Sequence, residues 1–378
     1  MKIVTAIDSM KGSMTSIEAN NIIEKVFADE NTEVKKIAIA DGGEGTLAAF
    51  LENYKGKLEQ IPAHDLSGNE LTASYVWIAS EKLAVIESAD TAGIQFLTEE
   101  STTHPSNTNT FGVGETILAA LHKGAKKVII GLGGTGTVDG GIGAMAALGV
   151  IFIDSDGQHL EPIGKNIGKV AEISYAGVSP LINGVEFLLA TDVNSYLTGD
   201  SGAVKMFGKQ KGIHVNEQDS YEAMMSHYEK ILLRSSGKGK VAGDGAAGGL
   251  GIGLRVLLNA EVLSGFKIIS EYSGLTKELE NADLVITGEG KMDAQSLQGK
   301  VPVGISMLAK QRSTPVVAFV GMFDGDLSLF KEAGIDAVVS IISKITTLET
   351  ALSQAHSNLE KAAITAKNLL FLLGRKSK

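Results

Sequence analysis

The chain contains no cysteine. Disulfides, thiolate nucleophiles and cysteine-ligated zinc are therefore excluded. Its 7 histidines are scattered, and none pairs at metal-ligand spacing. No apolar run approaches the roughly 18 residues of a membrane-spanning helix. No basic stripe is present, and a net charge of −10 argues against a nucleic-acid surface. There is no Gly-x-Ser-x-Gly elbow, so a Ser–His–Asp hydrolase is poorly supported. The opening residues Met1-Lys-Ile-Val-Thr-Ala-Ile7 carry no signal-peptide pattern, so a cytoplasmic protein is expected.

Proline is scarce at 6, whereas glycine is abundant at 45. Average usage of about 7% would give roughly 26 glycines. The excess is not low-complexity sequence. It falls in short clusters beside acids, hydroxyls and lysines, where backbone can approach a ligand closely. A length of 378 residues exceeds what single cores usually span, so two domains are expected.

The chain opens with strand, polar loop and helix, twice. Lys2–Ile7 and Glu33–Ala40 read as strands, with helices following Ser13 or Thr15 and Thr46. This is the grammar of a parallel sheet. Then 57–62, 72–78 and 83–88 read as consecutive antiparallel strands, and 98–109 as a polar loop. After Asp283 the first rhythm returns, with strands at 284–287, 315–320 and 337–341 and a last helix over 347–372. The expected architecture is a five-stranded, doubly wound α/β domain from residues 1–62 and 281–378. A large mixed α/β domain, 63–280, is inserted into it.

Charged loops follow several of these strands, which is where open α/β sheets bind ligands. Asp8-Ser9-Met10-Lys11 ends the first strand, and Asp41-Gly42-Gly43-Glu44-Gly45-Thr46 follows the second. Gly288-Glu289-Gly290 is expected to break the strand at 284–287, ahead of Lys291, Asp293, Gln295, Ser296 and Lys300. Acids can hold Mg²⁺, and lysines can meet phosphate or carboxylate oxygens. The plain alternative is capping turns and solvated side chains. Two glycine-rich loops, 131–141 and 243–253, resemble phosphate cradles. The first is not a Walker A loop, because no Gly-Lys-Ser/Thr ends it. The alternative for both is close helix–strand packing. Asp192 ends a further strand, and Lys209-Gln210-Lys211 follows it in a polar segment. Phosphoryl transfer uses such parts: metal-bound carboxylates, backbone N–H groups around phosphates, lysines and a base.

Together the motifs resemble the bacterial glycerate kinase family, whose flavodoxin-like domain carries a large inserted domain with the active site in the cleft between them. The resemblance rests on Asp8-Ser9…Lys11, Ala40–Thr46, Gly133-Gly134…Asp139-Gly-Gly141, Asp192-Val193, Phe207-Gly208…Gln210-Lys-Gly212, Gly245–Gly251 and Ile286–Gly290…Asp293…Gln295–Pro302. They occur in the family's order along essentially the whole chain. The resemblance implies phosphorylation of D-glycerate to 2-phosphoglycerate with ATP and Mg²⁺, by a monomer or homodimer.

It also implies roles for residues. Asp8, Lys11, Asp41, Asp192, Glu289, Asp293 and Lys300 would be catalytic, with Asp192, Glu289 and Asp293 as metal ligands. Ser9, Gly42, Gly43, Gly133, Gly134, Thr135, Asp139, Lys211, Gly248, Gly249, Gly288, Gly290 and Ser296 would line the substrate and nucleotide sites. Met10, Phe111, Thr135, Val138, Asn194 and Lys209 depart from the family's usual residues. Those departures motivate two alternatives: a kinase of another hydroxy acid, or a weakened homologue that senses a sugar acid or nucleotide.

Overall fold

The computed structural model of the protein describes residues 1–97 and 104–374. The polar loop expected at 98–109 lies partly outside the described residues. Thirteen strands occur among the described residues. They are β1 (Lys2–Ile7), β2 (Glu33–Lys36), β3 (Lys57–His64), β4 (Glu70–Ile78), β5 (Leu83–Glu87), β6 (Lys127–Gly131), β7 (Ile151–Ile153), β8 (Glu172–Ser174), β9 (Glu186–Ala190), β10 (Glu261–Leu263), β11 (Leu284–Asp293), β12 (Val316–Asp324) and β13 (Ala337–Ser340). Among the described residues, no helix is long and apolar enough to cross a membrane.

Backbone contacts divide the chain into two units. The first comprises Met1–Asp41, Ala48–Tyr54 and Phe266–Lys378; the second comprises Gly42–Leu47 and Lys55–Gly265. The boundaries differ from the sequence-based ones. Position 62 lies inside β3, which pairs with β4 along its whole length, so the strand cannot be divided there. The helix Gly265–Tyr272 packs into the first unit through Phe266, whose ring lies over Gly304.

The first unit holds a fully parallel sheet in the order β13-β12-β11-β1-β2. Counted along the chain this is the flavodoxin-like order 2-1-3-4-5. Its central strands β1 and β11 are largely buried, as two-sided cover by helices requires. Ile3, Ile7, Ile286 and Phe319 pack with Ile23 and Phe27 of the helix Ser16–Phe27 and with Leu359 and Ala363 of the C-terminal helix Ala355–Gly374. Thr15 caps the first of these helices in a reciprocal box with Glu18.

Three elements differ from expectation. β2 stops at Lys36, although residues 37–40 are buried. Side chains satisfy much of that backbone in place of a ladder: Asn20 donates to Ile37 O, while Ala38 N donates to Asn53 and Ile39 N to Ser16. The last helical stretch is two helices, Leu348–Ser353 and Ala355–Gly374, split at Gln354. β11 does not end before Gly288. It continues to Asp293, with Lys291, Met292 and Asp293 opposite Met322, Phe323 and Asp324 of β12. The glycines serve close approach between strands here. A Cβ on Gly288 would fall 1.9 Å from the Phe319 carbonyl oxygen, and one on Gly321 would fall 2.5 Å from that of Gly290.

The second unit holds a six-stranded mixed sheet, β10-β9-β6-β5-β4-β3. β3, β4 and β5 are antiparallel, as expected, and β5, β6, β9 and β10 are parallel. Its core brings Val128, Ile130 and Leu189 against Val113, Ile117 and Leu250. A second cluster forms around Tyr228, Phe152 and Met225, at the antiparallel pair of β7 and β8.

Candidate active site

The residues singled out in the sequence fall into two sets, one in each unit. In the first unit they gather just past the C-terminal end of β1, along the second half of β11 and beyond β2. Asp8, Ser9, Lys11, Asp41, Glu289, Gly290 and Lys300 line a single cavity of about 950 Å³. The parallel register sets this arrangement. Ile7 lies opposite Gly288, and Asp8 N donates to Gly288 O at 2.9 Å, so the Asp8 and Glu289 carboxylates rise from adjacent strands. Lys11 reaches Asp41 at 3.5 Å. Lys300 precedes the helix Val301–Lys310, whose Pro302 suits its first turn.

The electrostatics of this cluster are those of crowded acids. Burial raises the Asp8 carboxyl well above the carboxylate range, and the Asp41 and Glu289 charges raise it further, against the pull of Ser9 N and Lys11. Glu289 is also raised, first by burial, and a hydrogen bond from Ser296 and the charge of Lys300 pull it back. Its Oε1 is buried with no hydrogen-bond partner among the described residues. Asp293 differs. Lys291 holds it at 2.9 Å, and with Gln295 N lowers its carboxyl. The Ser296 hydroxyl accepts from Asp293 N at 3.2 Å and so links the two acids.

The second set lies in the second unit. The loop after β6 packs against Gly42 and Gly43: a Cβ on Gly133 would come 2.4 Å from Gly43 Cα. Gly248 and Gly249 both have positive φ, and a Cβ on Gly248 would meet the Thr137 carbonyl at 2.0 Å. Gly140 N donates to Gly248 O. The two glycine loops are thus packed backbone to backbone on each other.

Asp139 is fully buried within this packing. Its carboxylate accepts from Thr110 N and Oγ1 at 2.8 Å, Gly141 N at 3.0 Å and Gly143 N at 3.2 Å. Burial raises its pKa, and these donors oppose the rise. Lys211 is 4% exposed and donates to Thr135 Oγ1 and Thr137 O, both at 3.0 Å. Burial pushes its ammonium down to about 7. Asp192, beyond β9, accepts from Gly265 N at 3.0 Å. Asp244, the lone charge of the second glycine loop, is buried in a bidentate pair with Arg255 at 2.6 and 2.9 Å.

Sequence reasoning missed two features. Glu87 ends β5, accepts from Leu47 N at 2.7 Å and fastens the loop that begins at Gly42. Burial pushes its carboxyl up to about 7. Its signal was an acid ending an apolar strand, the same pattern that marks Asp8. The other is the apolar wall of the first unit's cavity, formed by residues that read as ordinary core. Among the described residues, no group of three or more histidine, aspartate or glutamate side chains is arranged to hold a metal.

The sequence model of the glycerate kinase family matches residues 3–370. A glycerate kinase of Bacillus cereus is 37% identical, across 98% of this chain and 97% of its own. A glycerate 2-kinase of Escherichia coli is 35% identical, across 96% of each chain. A solved structure from Salmonella typhimurium LT2, described as glycerate kinase 2, superposes with a TM-score of 0.86. It is 33% identical, across 99% of both chains.

Proposed function

The chain belongs to the glycerate kinase family, and from that premise we propose that it moves the terminal phosphoryl group of ATP to the 2-hydroxyl of D-glycerate. The observation that carries the reading is the cavity of the first unit, where Asp8, Asp41 and Glu289 meet Lys11 and Lys300. Phosphoryl transfer needs cations where charge develops and a base at the acceptor hydroxyl. Lys11 and Lys300 are the cations, for the substrate carboxylate and the transferring group. Asp8 is the base, because burial and the neighbouring acids raise its carboxyl well above the carboxylate range and so strengthen it as a proton acceptor.

The site fits Mg²⁺. The raised carboxyls of Asp8 and Glu289, with the Glu289 Oε1 buried and without a hydrogen-bond partner among the described residues, are relieved by a cation. Mg²⁺ commonly takes one or two carboxylates and completes its shell with water and phosphate oxygens, so no cage of protein ligands is required. Glu289 and Asp41 would hold it, where it would neutralise charge on the donor phosphates. Asp293, expected in that role, does not line this cavity and is held by Lys291 at 2.9 Å. Asp139 and Lys211 act as organisers of the second unit's loops.

A coupled ADP-release assay with D-glycerate tests the reading, and phosphorus NMR of the product identifies the acceptor hydroxyl. Turnover no higher than the ATPase background would refute it. A product signal for the 3-phosphate would correct the position.

A further inference from the structure

We propose that the donor nucleotide binds in the first unit's cavity, with its base in the apolar half against Met322, Phe323, Ile342 and Leu352. The inference rests on the kinase reading, and it moves the nucleotide away from the glycine loops that its sequence first suggests. Those loops have no room to spare. Gly248, Gly249 and Gly251 each face another backbone segment closely enough that a Cβ would fall within 2.7 Å of it.

The cavity has the opposite character. Its volume of about 950 Å³ is at the upper end of the ~300–1,000 Å³ that small-molecule sites span, far more than a three-carbon acid fills. Its lining changes in the order of the strands. Beyond β2 and at β1 and β11 stand Asp41, Asp8, Lys11 and Glu289. At the ends of β12 and β13 the lining becomes Met322, Phe323, Ile341 and Ile342, and the helix Leu348–Ser353 adds Leu352.

From β1 to β13 is three strand spacings, about 14 Å at ~4.8 Å each. That accommodates a ligand with an anionic chain at one end and a flat apolar group at the other. A nucleoside triphosphate has that form. Its terminal phosphate must sit beside the lysines and acids, so its base must lie along the rest of the same cavity. Small residues leave the space: Gly321, Ala351 and Ala355 are all in the lining. Met322 and Leu348 are 53% and 75% exposed, apolar surface that a bound ring would cover.

Photolabelling of the full-length protein with 8-azido-ATP, followed by peptide mapping, tests the placement. Label within 316–355 that excess ATP suppresses is the expected result. Label confined to 131–141 or 243–253, or no label that ATP suppresses, overturns it. A second measurement reads function: Leu352→Trp should raise KM for ATP at least tenfold and leave KM for glycerate within twofold. Equal effects on both constants, or on neither, count against the placement. If the cavity is labelled but glycerate stimulates no ADP release, the nucleotide site stands and the glycerate reading fails.

Discussion

Asp139→Asn separates an organising carboxylate from a reacting one. In the folded chain Oδ2 accepts from Thr110 N, Thr110 Oγ1 and Gly143 N, and Oδ1 accepts from Gly141 N. An amide has one oxygen to offer. If it keeps the three-donor side, its NH₂ faces the Gly141 N–H and leaves that donor without a partner. A buried donor left unpaired costs about 1–3 kcal/mol, and the surviving bonds lose the strength that charge adds. The total is about 2–5 kcal/mol. For a unit of this size each kcal/mol lowers Tm by roughly 2–4 °C, so a fall of about 4–20 °C is expected by calorimetry. Whatever activity survives at low temperature should keep its KM for both substrates. A variant that melts within about 1 °C of the parent and has lost most of its kcat would refute the argument, because Asp139 would then act on the reacting atoms.

The other predictions concern both units. Asp8→Asn should lower kcat by about 10²–10⁴-fold, the range for a lost general base, with Tm no lower than the parent's, since the change removes a carboxyl whose ionisation burial disfavours. In the parent enzyme, kcat should fall as pH drops through the raised Asp8 pKa, and a flat acid limb would remove Asp8 from that role. For Glu87, the folded pKa of about 7 exceeds the ordinary 4.5, so the folded unit binds the proton more tightly. Its stability contribution is therefore present below pH 4.5 and lost as pH rises towards 7, by about 2–3 kcal/mol. Glu87→Gln should flatten that slope in urea titrations, and parallel slopes in the two proteins would contradict the argument. Gly288→Ala should destabilise the first unit by about 1–3 kcal/mol or more, since its Cβ meets the Phe319 carbonyl. A urea midpoint unchanged from the parent would show that the strands part at no cost.

Much of the first unit is legible in the sequence, because its strands are short β-branched runs separated by helical periodicity. The acids at Asp8, Asp41 and Glu289 are legible for the same reason: each follows an apolar run, or lies near its end, in a fold that binds ligands there. What glycine does is harder to read. Gly288-Glu289-Gly290 looks like a turn, but the strand runs through it, and Gly288 is there because the Phe319 backbone leaves no space for a Cβ. The 133–141 and 243–253 loops look like ligand cradles, yet their glycines face each other. In both cases the deciding contact is with residues distant in sequence, and no local pattern carries it. The apolar wall is hidden for a related reason. Phe323, Ile342 and Leu352 have the residue types of core positions, and only the fold places them around a cavity.

The pairing of β1 with β11 joins residues about 280 positions apart; Thr287 Oγ1 donates to Ala6 O across it at 2.8 Å. This sets a timetable for synthesis on the ribosome. The stretch Lys55–Gly265, most of the second unit, is finished before β11 exists. Until then β1 can pair only with β2, and one edge of this apolar strand stays open. Such an edge is a template for wrong partners. The nascent chain is thus vulnerable to aggregation through β1 for as long as the second unit is being made, and a chaperone that covers this strand would raise the yield.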